Sequence, residues 1–515
     1  MKRLERQNPK VAQEIYNRIG KNSLYNLLLK ILSFPLWLVL PPVILRFIGI
    51  EGYGVWAFIQ VFVNYGWALN SGIDTAITKY TAEYNAREDH QKVAKLFNTF
   101  FFVYSLLFII FCIFVFIFQN WIIDIFMKTD KIPRTEIAFA LVLYAAAFAI
   151  KSIFKAYPSF FNGLERMDLT NKVEMLSFLC IFIFSILFMF LGWGIKGLAV
   201  ANAISTLITT VIYMVVCKKV APYLKLNPFL FSFSIISEVR KFIIYGAVGG
   251  VTSMAHFQLN KLIISYFLGL KYLTYYDLGH KLVSAAFGFL CSFITPIMPA
   301  ASGVYASMGI KKLREVYETT LKYLALMSAP VFLFTSVFAN NIIFVWLGLG
   351  YEEAAFVLRF LSIAYLILVL TGPGASILTG MGLPEIPFYG GILTAVTNAT
   401  LSLILVTKFG LTGIIISEIS ANTLALLFSF YFFHKKLGSY MRDILRSLKF
   451  SFLSSIGILA VLSITVGYLR NNYIELGTAA VLFSMAYLFM VYKNPAYGKI
   501  KDFIRQPLFF FTYRG

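Results

Sequence analysis

Fourteen stretches of roughly twenty mainly apolar residues recur along the chain. They fall at 24–47, 54–77, 97–118, 136–157, 172–192, 195–216, 242–268, 273–298, 319–346, 354–380, 385–407, 411–433, 448–469 and 474–492. Twenty residues of α-helix, rising about 1.5 Å each, cross a hydrocarbon core about 30 Å thick. Inside oil every backbone amide must find its partner within its own segment, so runs of this kind fold as helices. Composition agrees: 59% of the residues are hydrophobic and 13% are charged, against about 25% charged in soluble proteins. The expected fold class is an all-α polytopic membrane protein with about fourteen transmembrane helices. Too little polar surface remains for a soluble enzyme, a nucleic-acid-binding protein or a secreted disulfide scaffold. Cys112, Cys180, Cys217 and Cys291 lie in or beside apolar runs without a CxxC pair, and read as small core hydrophobes. The four histidines show no metal-ligand spacing, so no metal site is expected.

The formal charge of +21 is mostly a topology signal. Of 45 Lys and Arg, 31 fall in 1–23, 78–96, 155–172, 217–241, 299–318, 434–449 and 493–515; eight fall on the opposite side and six inside spans. The positive-inside rule then puts both termini in the cytoplasm. Outward connections are short, the longest being Gln119–Thr135, and leave no room for an outer domain. The basic tail with Phe503 and Leu508–Phe511, and the first 21 residues, are expected to lie along the membrane surface.

A shift of 220 residues lays the second six spans on the first six. Residues 48–126 and 268–346 share thirteen ungapped identities, clustered where Phe118-x-Asn120-x-Ile122-Ile123 meets Phe338-x-Asn340-x-Ile342-Ile343. Gly49 meets Gly269, Asn162-Gly163-Leu164 meets Thr379-Gly380-Met381, and Gly194-Ile-Lys-Gly197 meets Gly410-Leu-Thr-Gly413. An even number of spans makes the repeats parallel, as in transporters that rock two bundles about a central site. The expected organisation is a cytoplasmic or interfacial N-terminus (1–23), a first lobe (24–217) and a basic cytoplasmic linker (218–241). A second lobe (242–434), two further helices (435–492) and a basic cytoplasmic tail (493–515) complete it.

Gly49-Ile-Glu-Gly52-Tyr53-Gly54-Val-Trp56 and Leu69-Asn-Ser-Gly72-Ile-Asp74-Thr-Ala76-Ile-Thr-Lys79-Tyr80 carry a family resemblance, with Phe161-Asn-Gly163 and Gly194-Ile-Lys-Gly197 further on. Together they resemble the polysaccharide-transporter branch of the multidrug/oligosaccharidyl-lipid/polysaccharide (MOP) exporter superfamily. The resemblance covers essentially the whole chain. It implies two six-helix lobes plus two helices, and a flippase for undecaprenyl-diphosphate-linked oligosaccharide in the bacterial cytoplasmic (inner) membrane. Membrane lipids, a polysaccharide polymerase and chain-length proteins are the partners it implies. The superfamily also holds a lipid II flippase and drug exporters. Drug exporters usually have twelve helices, so spans 13 and 14 favour the lipid-linked-glycan branches.

Charges inside spans cost about 2.5–3.5 kcal/mol each at mid-bilayer and so point to a wet interior. Lys261, Lys281 and Arg359 are expected to form the outer part of a cationic diphosphate site, with Lys30 and Lys151 its inner part. Lys supplies point charges and Arg paired donors for phosphate. Each has an alternative. Lys30, Lys151 and Lys322 have stems long enough to snorkel to the surface. Asp277 and Lys281, at i,i+4, would neutralise each other, and Glu418 would serve as a partner for Arg359. Tyr65, Trp67 and Tyr276 are candidate sugar-stacking surfaces against a background of interfacial aromatics.

Asp74, Asp277, Glu418, His256 and His280 are the candidates for coupling to H⁺ or Na⁺. No nucleotide motif is present and no cofactor is expected. Pro35, Pro41 and Pro42 in span 1 and Gly372-Pro373-Gly374 in span 10 are candidate gate or hinge positions, since proline removes a backbone bond. Short outer loops and the repeat disfavour an integral membrane glycan polymerase. Six basic against three acidic residues inside the spans disfavour export of cationic drugs.

Overall fold

A computed structural model describes residues 9–294, 296–438, 441–466 and 472–494. The side chains of residues 9–34 and of scattered later positions lie outside the described residues. Lys30, His256 and the tail expected at the membrane surface are among these.

Among the described residues the secondary structure is helical, with sixteen α-helices and no strand. The chain divides into two compact units, Met1–Thr274 and Tyr275–Gly515. The first contains α1 (Pro9–Asn64), α2 (Trp67–Ala86), α3 (His90–Phe126), α4 (Arg134–Ile153) and α5 (Ala156–Gly163). It continues through α6 (Met167–Phe190), α7 (Gly194–Val220), α8 (Phe233–Phe267) and the start of α9 (Leu270–Ile294). The second holds the rest of α9, α10 (Ile297–Val337), α11 (Ala339–Leu347), α12 (Glu352–Val369) and α13 (Gly372–Gly380). Its last helices are α14 (Glu385–Leu437), α15 (Met441–Val466) and α16 (Asn472–Lys493).

Eleven helical stretches among the described residues are long and apolar enough to cross a membrane. They differ from the expected fourteen at three places. Spans 11 and 12 join into α14, which leaves helical geometry at Gly410. Span 2 falls partly on α2, where Asp74, Lys79 and Glu83 dilute the apolar run. Span 7 falls on α8, several of whose side chains lie outside the described residues. The breaks in the merged helices fall in expected connections: Gly49 in α1, Gly309 in α10 and Gly410 in α14. By contrast, the backbone of α1 stays helical through Pro35, Pro41 and Pro42.

The internal repeat reappears bond by bond. After α5, Leu164, Glu165 and Arg166 donate backbone N–H groups to Phe160, Asn162 and Phe161 at 3.0, 3.0 and 2.8 Å. After α13, Met381, Gly382 and Leu383 donate to Ile377, Thr379 and Leu378 at 2.9, 3.0 and 2.9 Å. Glu165 holds φ 59° where its mate Gly382 holds 82°. A Cβ on Gly163 would lie 2.7 Å from the Thr78 carbonyl oxygen and 2.7 Å from Thr81 Cβ. One on Gly380 would lie 2.7 Å from the Met298 oxygen and 3.0 Å from Ala301 Cβ. Thr78 and Met298, like Thr81 and Ala301, stand 220 positions apart, so each unit packs its fourth-span helix onto its second-span helix through the same glycine.

Lipid tails are as apolar as the side chains they meet, so membrane helices associate where small residues let backbones approach. Gly72 of α2 and Gly246 of α8 provide such a crossing. A Cβ on Gly72 would overlap the Ile243 carbonyl oxygen, and one on Gly246 would stand 2.5 Å from Gly72 Cα. That crossing places α8, the first helix of the second repeat, within the first compact unit. The compact units therefore divide near Thr274, later than the expected lobe boundary in the 218–241 linker. The linker itself is pinned to α3. Asn98 Nδ2 donates to the Lys225 oxygen at 3.0 Å, and Asn98 Oδ1 accepts from the Asn227 amide at 2.7 Å.

The first unit's core is aromatic, with Phe97, Phe100, Phe108, Phe160 and Phe161 buried together. Leu106, Ile109, Ile110, Ile113 and Ile117 are exposed along α3 at helical spacing, the pattern of a lipid-facing stripe. In the second unit, Ile458, Leu459 and Leu462 of α15 and Phe483 and Tyr487 of α16 pack with Leu326 of α10, and Tyr487 Oη donates to the Leu326 oxygen at 2.9 Å.

Candidate functional site

A cavity of about 550 Å³ opens inside the first unit among α2, α4, α5, α6 and α7. Its position follows from helix arithmetic. Asp74 lies about 18 Å back from Ala86 at the end of α2. Glu174 lies about 10 Å beyond Met167 at the start of α6, and Tyr213 about 10 Å before Val220 at the end of α7. Glu174 and Tyr213 lie within membrane-crossing helices, nearer the ends that carry the 164–166 and 221–232 connections, and Asp74 faces them from α2.

A break in the backbone supplies two of the charges. α4 stops at Ile153, Phe154 and Lys155 make a turn, and α5 restarts at Ala156. Lys151 ends the first helix and Lys155 precedes the second. The second unit breaks at the matching place, between α12 and α13, where Gly372-Pro373 opens the new helix. Pro158, third residue of α5, plays the matching part in the first break: it has no N–H to give the Phe154 carbonyl four positions back, so the helix is interrupted at Phe154 and Lys155. Gly374 plays a packing part as well, since a Cβ there would overlap the Phe433 ring.

Lys79, Lys151 and Lys155 line the cavity against Asp74 and Glu174, a net of one positive charge. Lys155 Nζ lies 2.6 Å from Asp74 Oδ2. Asp74 Oδ1 also accepts from Tyr104 Oη at 2.6 Å and from Ser159 Oγ at 3.1 Å. Lys151 Nζ lies 3.6 Å from Glu174 Oε2, and Glu174 Oε1 accepts from Tyr213 Oη at 3.5 Å. Lys155 also stands over the Trp67 ring, 5.4 Å from its centroid. Thr78, Asn162, Thr170, Thr209 and Thr210 complete the polar lining, with Thr170 Oγ1 donating to Asn162 Oδ1 at 3.2 Å. The pairs are wet: Lys151 and Glu174 keep 50% and 28% of their side-chain surface, Lys155 and Asp74 29% and 17%.

The structure thus brings Asp74 and Lys151 to one cavity and adds Lys155, Glu174 and Tyr213, with Tyr104 buried behind Asp74; sequence reasoning missed these four. Lys155 counts among the basic residues of the 155–172 connection, where it overlaps the end of span 4. The hydroxyl donors carried no mark that separates them from other aromatics in so aromatic a chain.

A second polar cluster lies in the second unit. Asp277 and Lys281 of α9 pair at 2.7 Å, with 5% and 17% of their side chains exposed. One face further round, Tyr276 Oη donates to Glu418 of α14 at 2.7 Å, and His280 Nε2 and Tyr365 Oη of α12 share a hydrogen bond of 2.7 Å. Glu418, Asp277 and His280 are all buried. The structure therefore gathers three of the coupling candidates and forms the Asp277–Lys281 pair. Lys261 is buried beside Asn260 on α8 in the first unit. Arg359 is half-buried on α12 in the second. Tyr65 has a buried hydroxyl, Trp67 is exposed and Tyr276 is buried. No group of His, Cys, Asp and Glu among the described residues has metal-binding geometry.

The family described as "Polysaccharide biosynthesis protein" matches residues 19–305, more than half of the chain. The chain belongs to the polysaccharide biosynthesis protein family. A Shigella flexneri protein named "Putative O-antigen transporter" is 23% identical to this chain over 415 residues, covering 78% of this chain and 94% of its own. Two solved structures share the fold. The lipid II flippase MurJ in an inward closed conformation aligns with a TM-score of 0.73 at 14% identity, covering 92% of this chain and 98% of its own. An inward-facing multidrug resistance MATE family transporter of the MOP superfamily aligns at 0.64 and 15% identity, over 78% and 94%. This family member is a multi-pass membrane protein with a MOP superfamily fold.

Proposed function

We propose that the protein is a flippase that carries undecaprenyl-diphosphate-linked oligosaccharide from the cytoplasmic to the outer leaflet by alternating access, for surface polysaccharide synthesis. One observation supports this reading above the rest: a wet, lysine-bearing cavity inside a membrane lobe. A diphosphate leaving water needs its hydration replaced, and three ammonium groups with a ring of hydroxyls and amides offer that replacement. The Lys and Arg bias supports a cytoplasmic position for the cavity's end of the lobe, where a newly made lipid-linked glycan would enter. Threonine and asparagine in the lining suit sugar hydroxyls, and the exposed Trp67 ring beside Lys155 suits a sugar face, while the polyprenyl chain stays in lipid.

Sequence likeness to the named O-antigen transporter supports the oligosaccharide substrate. Likeness to the lipid II flippase is a likeness of fold, and lipid II, itself a diphosphate-linked glycan, stands as the second reading. Lys261, Lys281 and Arg359 are assigned to the later, outer stage of transfer. Asp277, Glu418 and His280 are assigned to coupling with H⁺ or Na⁺, and a polymerase and chain-length proteins are the expected downstream partners.

Replacing both Lys151 and Lys155 by Ala is expected to abolish surface glycan at normal protein level. Replacing Lys261 or Lys281 by Ala is expected to lower it. Wild-type amounts of surface glycan from the Lys151/Lys155 variant would remove this cavity from the transport path.

A further inference from the structure

The connection between α7 and α8 sorts its apolar residues into two sets. Tyr223, Leu224 and, at the start of α8, Ile235 pack on the aromatic core of the first unit. Leu226, Phe229 and Phe233 turn outward, with 44%, 94% and 78% of their surface exposed. The backbone that carries the outward set is tied to α3. Asn98, fully buried, bonds Lys225 and Asn227, and Thr99 Oγ1 accepts from the Ser232 amide at 3.1 Å. Asn227 Oδ1 in turn accepts from the Phe229 amide at 3.0 Å, at the start of the short 3-10 turn Pro228–Leu230. Lys218 and Lys219 in the last turn of α7, and Lys225 in the connection, are exposed. We propose that this connection is a foot that binds anionic lipid. Leu226, Phe229 and Phe233 enter the headgroup layer of the membrane the protein spans, and Lys218, Lys219 and Lys225 meet its phosphates.

Level and chemistry both choose a lipid surface over a protein partner. The exposed apolar stripe of α3 begins at Leu106, and half-buried Phe102 and Val103 extend its apolar surface to about 6 Å from Asn98 along the helix. Headgroups add about 5–7 Å to each side of the hydrocarbon core. The bonds to Asn98 and Thr99 therefore hold the connection at headgroup depth, not out in water where a soluble partner would dock. Exposed phenylalanine beside lysine suits that depth, since the rings sink between lipids while the ammonium groups stay at the phosphates. Anionic lipid attracts each such lysine. No acidic residue lies between Lys218 and Glu238, and Glu238 is turned to Tyr84, whose hydroxyl it accepts at 2.8 Å. A second copy of the chain in a two-fold contact would bring the same lysines face to face. Tyr213, in the cavity lining, lies about 10 Å before the end of α7, where the foot begins. A foot seated in headgroups thus sets the depth of the cavity, whatever the cavity binds.

The test replaces Phe229, and separately Phe233, by the photoreactive amino acid benzoylphenylalanine in the full-length chain. Both positions are exposed, so the larger ring has room. Purified protein in vesicles of phosphatidylcholine and phosphatidylglycerol, mixed three to one, is irradiated, and the adducts are identified by mass spectrometry. Phospholipid adducts are expected at both positions. Phosphatidylglycerol is expected to be captured about threefold or more over phosphatidylcholine, per molecule present. Lys218→Gln, Lys219→Gln and Lys225→Gln together are expected to bring the two lipids level while lipid capture persists. High salt, which screens the lysines, is expected to act in the same direction and decides the matter if the triple variant does not fold. Adducts joining two copies of the chain, or no lipid adduct from folded protein, would overturn the foot. Lipid adducts that follow the vesicle composition with all three lysines in place would overturn its preference for anionic lipid.

Discussion

Single side chains in this protein do two kinds of work, and substitutions separate them. Gly163 and Gly380 are contact points where a methyl group would meet a carbonyl oxygen at 2.7 Å in each unit. Changing either to Ala should cost about 1–3 kcal/mol, the range for overpacking a tight contact. The two costs should add, since their neighbours are not shared. Thermal unfolding in detergent, followed by circular dichroism, measures both. The hydroxyls around the cavity should grade by geometry. Tyr104→Phe breaks a 2.6 Å bond to Asp74 and should cost about 1.5–3 kcal/mol of stability. Tyr213→Phe breaks a 3.5 Å contact to Glu174 and should cost under about 1 kcal/mol. At this scale the sequence told which residues are expensive in a membrane, Asp74 and Lys151 among them. It did not tell which hydroxyl or carboxylate stands opposite, because pairing across α2, α3, α4 and α6 depends on rotations about helix axes that periodicity leaves open.

Among elements, breaks and crossings matter more than lengths. Gly49 holds φ 69° and ψ −176°, a conformation that side chains bearing a Cβ resist. Gly49→Ala should therefore cost about 1–3 kcal/mol even though space around it is open. The same unfolding experiment checks it. Gly72→Val should disrupt the α2–α8 crossing and lower the yield of folded, monodisperse protein in size-exclusion chromatography, whereas Gly249→Val, in open space on α8, should not. Glycine-marked turns were legible in the sequence: Gly49, Gly269, Gly194 and Gly410 were paired by the repeat, and all four have positive φ. The break between α4 and α5 had its mark in Pro158, which lies past the break in the next helix and so does not point to Phe154 and Lys155 directly. The packing of α8 was also hidden. The repeat marks where a second copy of the sequence begins, but close approach of Gly72 and Gly246 decides which helices it joins.

For the whole molecule, the account joins an oriented helical membrane fold to a wet basic cavity. Orientation has its own test. Cysteines introduced singly at Glu88 and Lys225 should react with a membrane-impermeant maleimide only after cells are opened, and one at Thr129 should react in intact cells. The reverse labelling would put the cavity's mouth on the outer side. Fold class, the two-fold repeat and the polysaccharide-transporter family were readable in the chain because they depend on apolar run length and glycine position. The cavity was only half readable because it is a tertiary arrangement of five helices.

The most direct measurement of the central claim is transport in proteoliposomes, using a fluorescent undecaprenyl-diphosphate-linked oligosaccharide and an impermeant quencher. The account predicts that wild type makes the inner-leaflet pool accessible, driven by an ion gradient without ATP. It also predicts that Lys151→Ala with Lys155→Ala lowers the rate by about tenfold or more in protein that folds normally. A double variant that flips the lipid at the wild-type rate would contradict it.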